Sequence, residues 1–310
     1  MFFANNNYIK SKDGDNMEIR TDLALEAHEL VTENIEGVDI DTEFSEKMKI
    51  TRMKIINQQA ANILGKERGT YITCEFKALT EDFTAADKRL VSIGEEIRQL
   101  LPKIGNVLVV GIGNHNITPD ALGPRSASKV LATRHISGSV ASSLGLDNLR
   151  SVCVVSPGVL GQTGIEVGEF VSGIVGNADI SCVIAVDSLA SRKLKRLGCT
   201  VQISDTGIAP GAGIGNHRNI INQTTMGVPV ISVGVPTVVD AATLAADLMS
   251  PNDEEESDRI REKVLPAGRD MVVTPREIDL LIERASLLIG MAINIALHPD
   301  FSPEDLFALV

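Results

Sequence analysis

The sequence has 310 residues, 44% of them hydrophobic, and a formal net charge of −12 at pH 7. Such a chain can bury a large core in one domain. Its acidic balance disfavours direct nucleic-acid binding, which needs clustered Lys and Arg. No apolar run approaches the length of a membrane-spanning helix, and the start lacks the apolar segment of a signal peptide. We therefore expect an intracellular protein without membrane contact.

The N-terminal third is predicted to add separate elements to the main fold. Residues 1–22 are polar and are expected to form a mobile tail. Apolar side chains then recur at helical spacing from Leu23 onward and again over 84–101. Between these two helices, alternating and β-branched residues predict strands at 49–56 and 70–76.

From residue 102 onward the pattern repeats strand, loop and helix. Strands are predicted at 107–110, 152–156, 180–186, 200–203 and 228–233. Helices are predicted at 125–133, 165–176, 237–249 and 275–297. Nearly continuous apolar runs are typical of strands buried on both faces. The sequence therefore predicts a three-layer α/β/α fold with a mostly parallel twisted sheet.

We assign residues 23–310 to a single α/β domain, with N-terminal elements over 23–101 and the core that holds the site over 102–310. The last helix of the core has a clear predicted start. Thr274 is in the position of an N-terminal cap, and Pro275 follows at the first helical position.

The cysteines and histidines give little evidence of a metal site. The four cysteines form no C-x-x-C pair, and the five histidines do not have the spacing of metal ligands. We expect free thiols, with neither a metal nor a cofactor.

The stretch NVLVVGIGNHNITPDALGPR, residues 106–125, joins a buried strand to a Gly-rich turn. Gly111 and Gly113 match the first half of a dinucleotide-binding fingerprint. The third glycine of that fingerprint is missing, because position 116 is Asn. A lone G-x-G is weak evidence, so nucleotide binding is disfavoured.

Two aspartates, Asp120 and Asp187, follow two of the predicted buried strands. Ligands and catalytic groups of an α/β sheet gather at the carboxyl ends of its strands, so the two carboxylates are candidates for catalysis or metal binding. Asp120 also lies beside a proline, where aspartate is often only a turn residue. The residue pattern leaves both interpretations open.

Polar residues near the two aspartates could support them. Asn114, Asn116 and Thr118 could orient Asp120 by hydrogen bonds, or could simply satisfy backbone groups of the turn. Arg192 could pair with Asp187 or with a substrate carbonyl, or could be a solvated arginine.

Five collinear motifs carry a family resemblance: IRTDLALEAHEL, GIGNHNITPDALGPR, SPGVLGQTG, AVDSLASR and GIAPGAGIGNHR. Together they resemble the germination proteases of endospore-forming bacteria, over nearly the whole chain. The resemblance implies an aspartic-type endopeptidase with a fold related to hydrogenase-maturation proteases. The family's two essential aspartates fall on Asp120 and Asp187.

The resemblance also implies a biological setting. It implies a zymogen that assembles as a homotetramer in the cytoplasm of the forespore and spore core. Its substrates would be the small acid-soluble proteins that coat spore DNA, so that any contact with DNA would come through the substrate.

Two carboxylates in one crevice suit peptide-bond hydrolysis. They cannot both ionise cheaply, so one keeps a proton. The ionised one can then accept a proton from water, while the protonated one polarises the scissile carbonyl and protonates the leaving amine. The alternative is a carboxylate-based metal-binding or maturation module, because the related maturation proteases use carboxylates to recognise a metal in their substrate.

The resemblance further predicts self-processing. The family cuts after an acidic residue in a sequence resembling Thr-Glu, then Phe or Ile, Ala, any residue, Glu; residues 21–26, TDLALE, match it closely. We expect a cut between Asp22 and Leu23 that removes residues 1–22 as a propeptide, whose length depends on whether translation starts at Met1 or Met17. The propeptide is expected to block the crevice. A second similar sequence, with Glu43-Phe44 at the corresponding bond, would be spared if it were packed.

Overall fold

The computed structural model describes residues 9–10, 16–17, 21–31, 35–45, 47–136, 149–210, 220–249 and 271–310. The strands within this part of the chain are β1 (Ile9–Lys10), β2 (Asn16–Met17), β3 (Val38–Ser45), β4 (Met48–Ile55), β5 (Gly69–Phe76), β6 (Asn106–Ile112), β7 (Val152–Gly158), β8 (Ile180–Ser191), β9 (Thr200–Ser204), β10 (Val230–Asp240) and β11 (Val272–Val273).

The helices of the same residues are α1 (Ala24–Glu29), α2 (Gln58–Leu64), α3 (Lys88–Leu100), α4 (Leu122–Ala127), α5 (Leu160–Thr163), α6 (Val167–Asn177), α7 (Gln223–Met226), α8 (Ala241–Met249), α9 (Ile278–Leu297) and α10 (Pro303–Leu309). Short 3-10 turns at Thr118–Asp120 and Leu194–Arg196 complete the pattern.

One mixed sheet organises the molecule. Its strand order is β3-β4-β5-β9-β10-β8-β6-β7, and β11 pairs with β10. The pairings among β7, β6, β8 and β10 are parallel, whereas β3, β4, β5 and β9 are joined by antiparallel pairings. The parallel half therefore comes from the predicted core, and the N-terminal elements extend the same sheet.

Helices cover both faces of this sheet, as the alternation along β6 shows. Val107 and Val109 pack into a core that includes side chains of α3, α4 and α9. Leu108 and Val110 face the other side, in a cluster with residues of α6 and α7. Successive strand residues point to opposite faces, so one continuous apolar strand supplies both cores. The predicted three-layer α/β/α class is confirmed.

α9 corrects the expectation that no apolar stretch is long enough to cross a membrane. α9 is long and apolar enough to cross a membrane by length and composition, although most of that stretch is buried inside the protein. It packs against α3 and α4, and the core helix of a large domain has this same composition.

Several predicted boundaries were wrong, and for β8 and β10 the reason is strand pairing with distant residues. β8 runs four residues beyond Asp187, and the predicted helix at 237–249 begins only at Ala241. Residues 237–240 belong to β10 because this strand pairs with β8 on one side and with β11 on the other. The predicted helix at 125–133 is the short α4.

The predicted cap of the helix at 275–297 was also wrong. α9 begins at Ile278, with Glu277 at the capping position and no side-chain cap. The hydroxyl of Thr274 instead donates to the carbonyl of Thr237, 2.8 Å away. Thr274 therefore ties the start of this helix to β10.

Candidate functional site

The carboxylate of Asp120 is held in a tight turn after β6. The backbone N–H of Asn114 donates to Asp120 Oδ2 at 2.7 Å. The buried hydroxyl of Thr237, on β10, donates to the carbonyl of Pro119 at 2.7 Å. The turn is thus fixed by its own backbone and by a strand of the parallel sheet.

Two glycines let this turn approach the sheet closely. Gly113 has a φ of +124°, which L side chains rarely adopt, and a Cβ there would overlap the carbonyl oxygen of Asp120. A Cβ on Gly123 would overlap the carbonyl oxygens of Ile112 and Val186. The Gly-rich turn therefore brings the Asp120 loop against the residue that precedes Asp187, and the close approach needs glycine.

Asp187 lies on β8 and is only 5% exposed. Its Oδ1 accepts a 2.8 Å hydrogen bond from the backbone N–H of Ser188. Burial, and then the charge of Asp120, raise the pKa of Asp187 well above its usual value. The like charge of Asp120 thus adds to burial in disfavouring the ionised form of Asp187.

The Asp22 segment binds to the end of β8. The Asp22 N–H donates to the Ala190 carbonyl at 3.0 Å, and the Ala190 N–H donates to Asp22 Oδ2 at 2.7 Å. Burial raises the pKa of Asp22, although the charge of Lys66 opposes this effect. Asp22 in turn contributes to the raised pKa of Asp187, so the predicted processing site lies close to the candidate catalytic carboxylate.

The buried carboxylate of Glu26 connects the segment before α1 to the chain that follows β8. Its oxygens accept the backbone N–H groups of Arg192 at 2.6 Å and Lys193 at 3.0 Å, and the Thr21 hydroxyl at 2.5 Å. The Arg196 guanidinium lies 3.6 Å away. Glu26 therefore joins the segment around Asp22 to the chain just after β8.

The three residues predicted to orient Asp120 lie at different places in its turn. Asn114 orients Asp120 through its backbone, and its side-chain oxygen accepts from Asn116 N at 3.0 Å and from Gln162 Nε2 at 2.7 Å. Asn116 is exposed, and its backbone N–H binds the Asn114 side chain. Thr118 begins the 3-10 turn that ends at Asp120.

Arg192 is half-buried, and it forms no ion pair with Asp187 in the described part of the chain. Its backbone N–H instead binds Glu26, as described above. The predicted alternative of an ion pair between Arg192 and Asp187 is therefore not observed.

Sequence reasoning missed Lys66, Gln202 and Thr237, which contact the Asp22 segment or the Asp120 turn. Gln202 is a polar residue in the middle of the short strand TVQIS and is only 8% exposed. A glutamine at a buried strand position is the one signal that could have indicated a role. Lys66 follows α2 in a loop without a recognisable motif.

The second processing-like sequence lies on an edge strand. Glu43 and Phe44 are exposed on β3, Phe44 by 80%, and the strand pairs with β4. The bond between Glu43 and Phe44 is therefore not protected by burial. It is held in place by the pairing of β3 with β4.

In the described residues, no group of three or more His, Cys, Asp or Glu side chains could hold a metal ion. Residues 211–218 of the GIAPGAGIGNHR motif lie outside the described residues.

Comparison with known proteins gives one consistent result. Residues 15–251 match the model of the germination protease family. A germination protease from Caldanaerobacter subterraneus subsp. tengcongensis is 44% identical over 94% of this chain and 98% of its own length. Those of Clostridium acetobutylicum and Halalkalibacterium halodurans are 40% and 31% identical, over 91% and 97% of this chain and 95% and 99% of their own lengths.

Among solved structures, the chain is similar to the [NiFe] hydrogenase maturation protease HycI from Thermococcus kodakarensis KOD1. The sequence identity is 14% and the TM-score is 0.35. The similarity covers 64% of this chain and 98% of that one.

Proposed function

Because the chain belongs to the germination protease family, we propose that it is the aspartic-type endopeptidase that begins the degradation of small acid-soluble spore proteins. It acts on proteins in the cytoplasm of the forespore and spore core, as a homotetramer derived from a zymogen. The observation that carries the catalytic assignment is the buried Asp187, whose pKa is raised first by burial and then by the charge of Asp120.

The two carboxylates have different roles in this proposal. Asp187 is buried and keeps the proton, whereas Asp120 is only partly buried and accepts a backbone N–H. Asp120 takes a proton from water, and the water oxygen bonds to the carbonyl carbon. Asp187 polarises the carbonyl and then gives its proton to the nitrogen as the C–N bond breaks. Asp120 then holds the proton from water and Asp187 is ionised, so that transfer of this proton to Asp187 restores the starting state without any further group.

The test is hydrolysis of an acetylated peptide that contains Thr-Glu-Ile-Ala, in buffer treated to remove metals. We expect Asp120→Asn and Asp187→Asn each to lower kcat by about 1000-fold or more, since each removes an essential proton donor or acceptor. The matched control is Asp82→Asn, which alters an exposed carboxylate paired with Arg284 and should keep full activity. An active Asp187→Asn enzyme would overturn the mechanism.

The same assay separates the alternative, a carboxylate-based metal-binding or maturation module. A protease of the proposed type cuts the peptide equally well with and without a chelator. Loss of cleavage on adding a chelator, restored by a divalent metal, would favour the alternative.

Zymogen processing is the second part of the proposal. The full chain cuts itself between Asp22 and Leu23 and releases residues 1–22. Support comes from the Asp22 contacts with the end of β8, close to Asp187, which are consistent with a propeptide that blocks the crevice. N-terminal sequencing of the matured chain tests this, and a new start other than Leu23 would contradict it. Light scattering of the same sample tests the homotetramer.

A further inference from the structure

The carbonyl oxygen of Asp22 accepts hydrogen bonds from two side chains that come from separate parts of the fold. Lys66 Nζ lies 3.1 Å from this oxygen, and Gln202 Nε2 lies 3.0 Å from it. This carbonyl belongs to the peptide bond between Asp22 and Leu23, the bond that the proposed processing reaction breaks. An ammonium and an amide therefore both point at the oxygen on which negative charge would develop.

The amide of Gln202 is oriented by both sides of that bond. Its Oε1 accepts the N–H of Ala24 at 2.8 Å, while its Nε2 donates to the carbonyl of Asp22. The side chain comes from β9, which lies between β5 and β10 in the sheet. A buried amide with both ends satisfied cannot rotate cheaply, so its donor is fixed in place.

The ammonium of Lys66 is positioned by the end of α2. This helix stops at Gly65 in the left-handed conformation, and Lys66 follows with its N–H bound to the carbonyl of Ala61. Nζ also donates to the carbonyl of Thr21 at 3.0 Å. Burial lowers the pKa of Lys66, and the carboxylates of Asp22 and Glu26 oppose that effect. The amine has an N–H to donate in either protonation state.

The acidic residue before the bond is bound as well. The backbone and carboxylate of Asp22 both contact Ala190, three positions beyond Asp187 on the same strand. Asp22 thus lies against the end of β8, with its carbonyl turned to Lys66 and Gln202, and Leu23 after it is extended. This is the arrangement expected of a bound substrate strand.

We propose that Lys66 and Gln202 bind the oxyanion formed at the scissile carbonyl, first at Asp22 in self-processing and then at the equivalent residue of protein substrates. The inference rests on the proposed protease function and on cleavage between Asp22 and Leu23. As water adds to the carbonyl carbon, the carbonyl electrons move to its oxygen, which these two donors stabilise. They return as the C–N bond breaks, and neither donor gains or loses a proton overall.

The test uses the full chain with Lys66→Met or Gln202→Met, each of which removes the donor and keeps an unbranched side chain of similar length. Removal of one oxyanion donor typically lowers kcat by about 100- to 1000-fold. We expect that loss in the rate of conversion to residues 23–310, followed by intact mass, and in kcat for the Thr-Glu-Ile-Ala peptide. KM should change by less than about 3-fold, because the donors bind the transition state more tightly than the ground state.

Two further variants separate this role from simple anchoring of the N-terminal segment. Lys66→Arg restores a cationic donor and should recover part of kcat, whereas Gln202→Glu keeps the shape without an N–H donor and should not. Lys49→Met is the matched control, because Lys49 pairs with Glu75 on the neighbouring strand and should leave kcat unchanged. Melting temperatures verify that each variant is folded.

The outcomes distinguish the inference from the proposed function. If Asp187→Asn is inactive and folded Lys66→Met or Gln202→Met chains cut the peptide at the wild-type kcat, the oxyanion assignment is overturned and the protease proposal stands. If Asp187→Asn is active, the protease mechanism itself fails. A loss confined to KM would mean that the two residues only hold the peptide, which also overturns the assignment.

Discussion

Gly113 and Asp120 pack so closely that a methyl group on Gly113 would overlap the Asp120 carbonyl oxygen. The glycine pair of the G-I-G motif suggested phosphate binding when only the residues were considered. In the fold, its second glycine makes room for the turn that carries the carboxylate. A glycine motif after a buried strand can therefore serve the close approach of two backbone segments, without any phosphate.

Gly113→Ala should accordingly impair both stability and catalysis. The new side chain meets a positive φ and the backbone of Asp120, which costs about 1–3 kcal/mol and shifts the carboxylate. We expect a lower melting temperature and a kcat lower by about 100-fold, since small displacements of reacting groups have effects of this size. In the control Gly173→Ala, within α6, the added methyl group contacts nothing. Equal melting temperatures and equal kcat values for the two variants would contradict the close packing of Gly113 against Asp120.

The sequence was sufficient for the layers and the parallel strands, because these depend on local apolar runs. It was not sufficient for Lys66 and Gln202, since each contacts Asp22 from a distant part of the chain, 44 and 180 residues away. The predicted end of β8 at Val186 was wrong because pairing with β10 extends the strand through Leu189 and Ser191. Long-range pairing of this kind leaves no periodic signal in one sequence.

Asp187→Asn should change the pH dependence of stability in a defined direction. Burial and the charge of Asp120 raise the pKa of Asp187 in the folded protein, so the folded state binds this proton more tightly than the unfolded state. Its contribution to the free energy of unfolding is complete below the ordinary aspartate pKa of about 4 and declines as the pH rises through the raised pKa.

An asparagine at position 187 cannot ionise, so the variant should gain melting temperature relative to wild type as the pH rises through that window. Calorimetry at a series of pH values measures the difference. Asp82→Asn, an exposed carboxylate, is the control and should show no such gain. Wild-type and Asp187→Asn curves that remain parallel from acid to neutral pH would contradict the raised pKa.

Thr237→Val tests how the Asp120 turn is held. The change keeps the shape of a fully buried side chain but removes the hydrogen bond to the carbonyl of Pro119, at a cost of about 1–3 kcal/mol. Because the turn carries Asp120, we expect kcat to fall by about 10-fold with little change in KM, measured with the same peptide.

The matched control for that variant is Thr200→Val. Thr200 is equally buried, and its hydroxyl has no hydrogen-bond partner among the described residues. Its removal should leave stability unchanged or slightly higher. A Thr237→Val enzyme with wild-type stability and kcat would show that β10 does not hold the turn.

Glu26→Gln should be the most destabilising single change near the processing site. The carboxylate accepts the N–H groups of Arg192 and Lys193 and the Thr21 hydroxyl. An amide of the same shape directs its own N–H groups at one of these donors and also removes the charge that faces Arg196. The loss of a buried, charge-assisted network of this kind costs about 3–5 kcal/mol.

Glu29→Gln is the matched control for this prediction, since Glu29 pairs with the same Arg196 but, among the described residues, accepts no backbone N–H from the chain after β8. Its side chain is partly exposed, so the loss should be about 1 kcal/mol. Arg196 lowers the pKa of Glu29 to about 2. The difference in unfolding free energy between wild type and Glu29→Gln should therefore be present above pH 4.5 and disappear as the pH falls toward 2. Urea unfolding at neutral pH compares the two variants. Equal losses would mean that Glu26 stabilises the protein through its ion pair with Arg196 and not through the backbone just after β8.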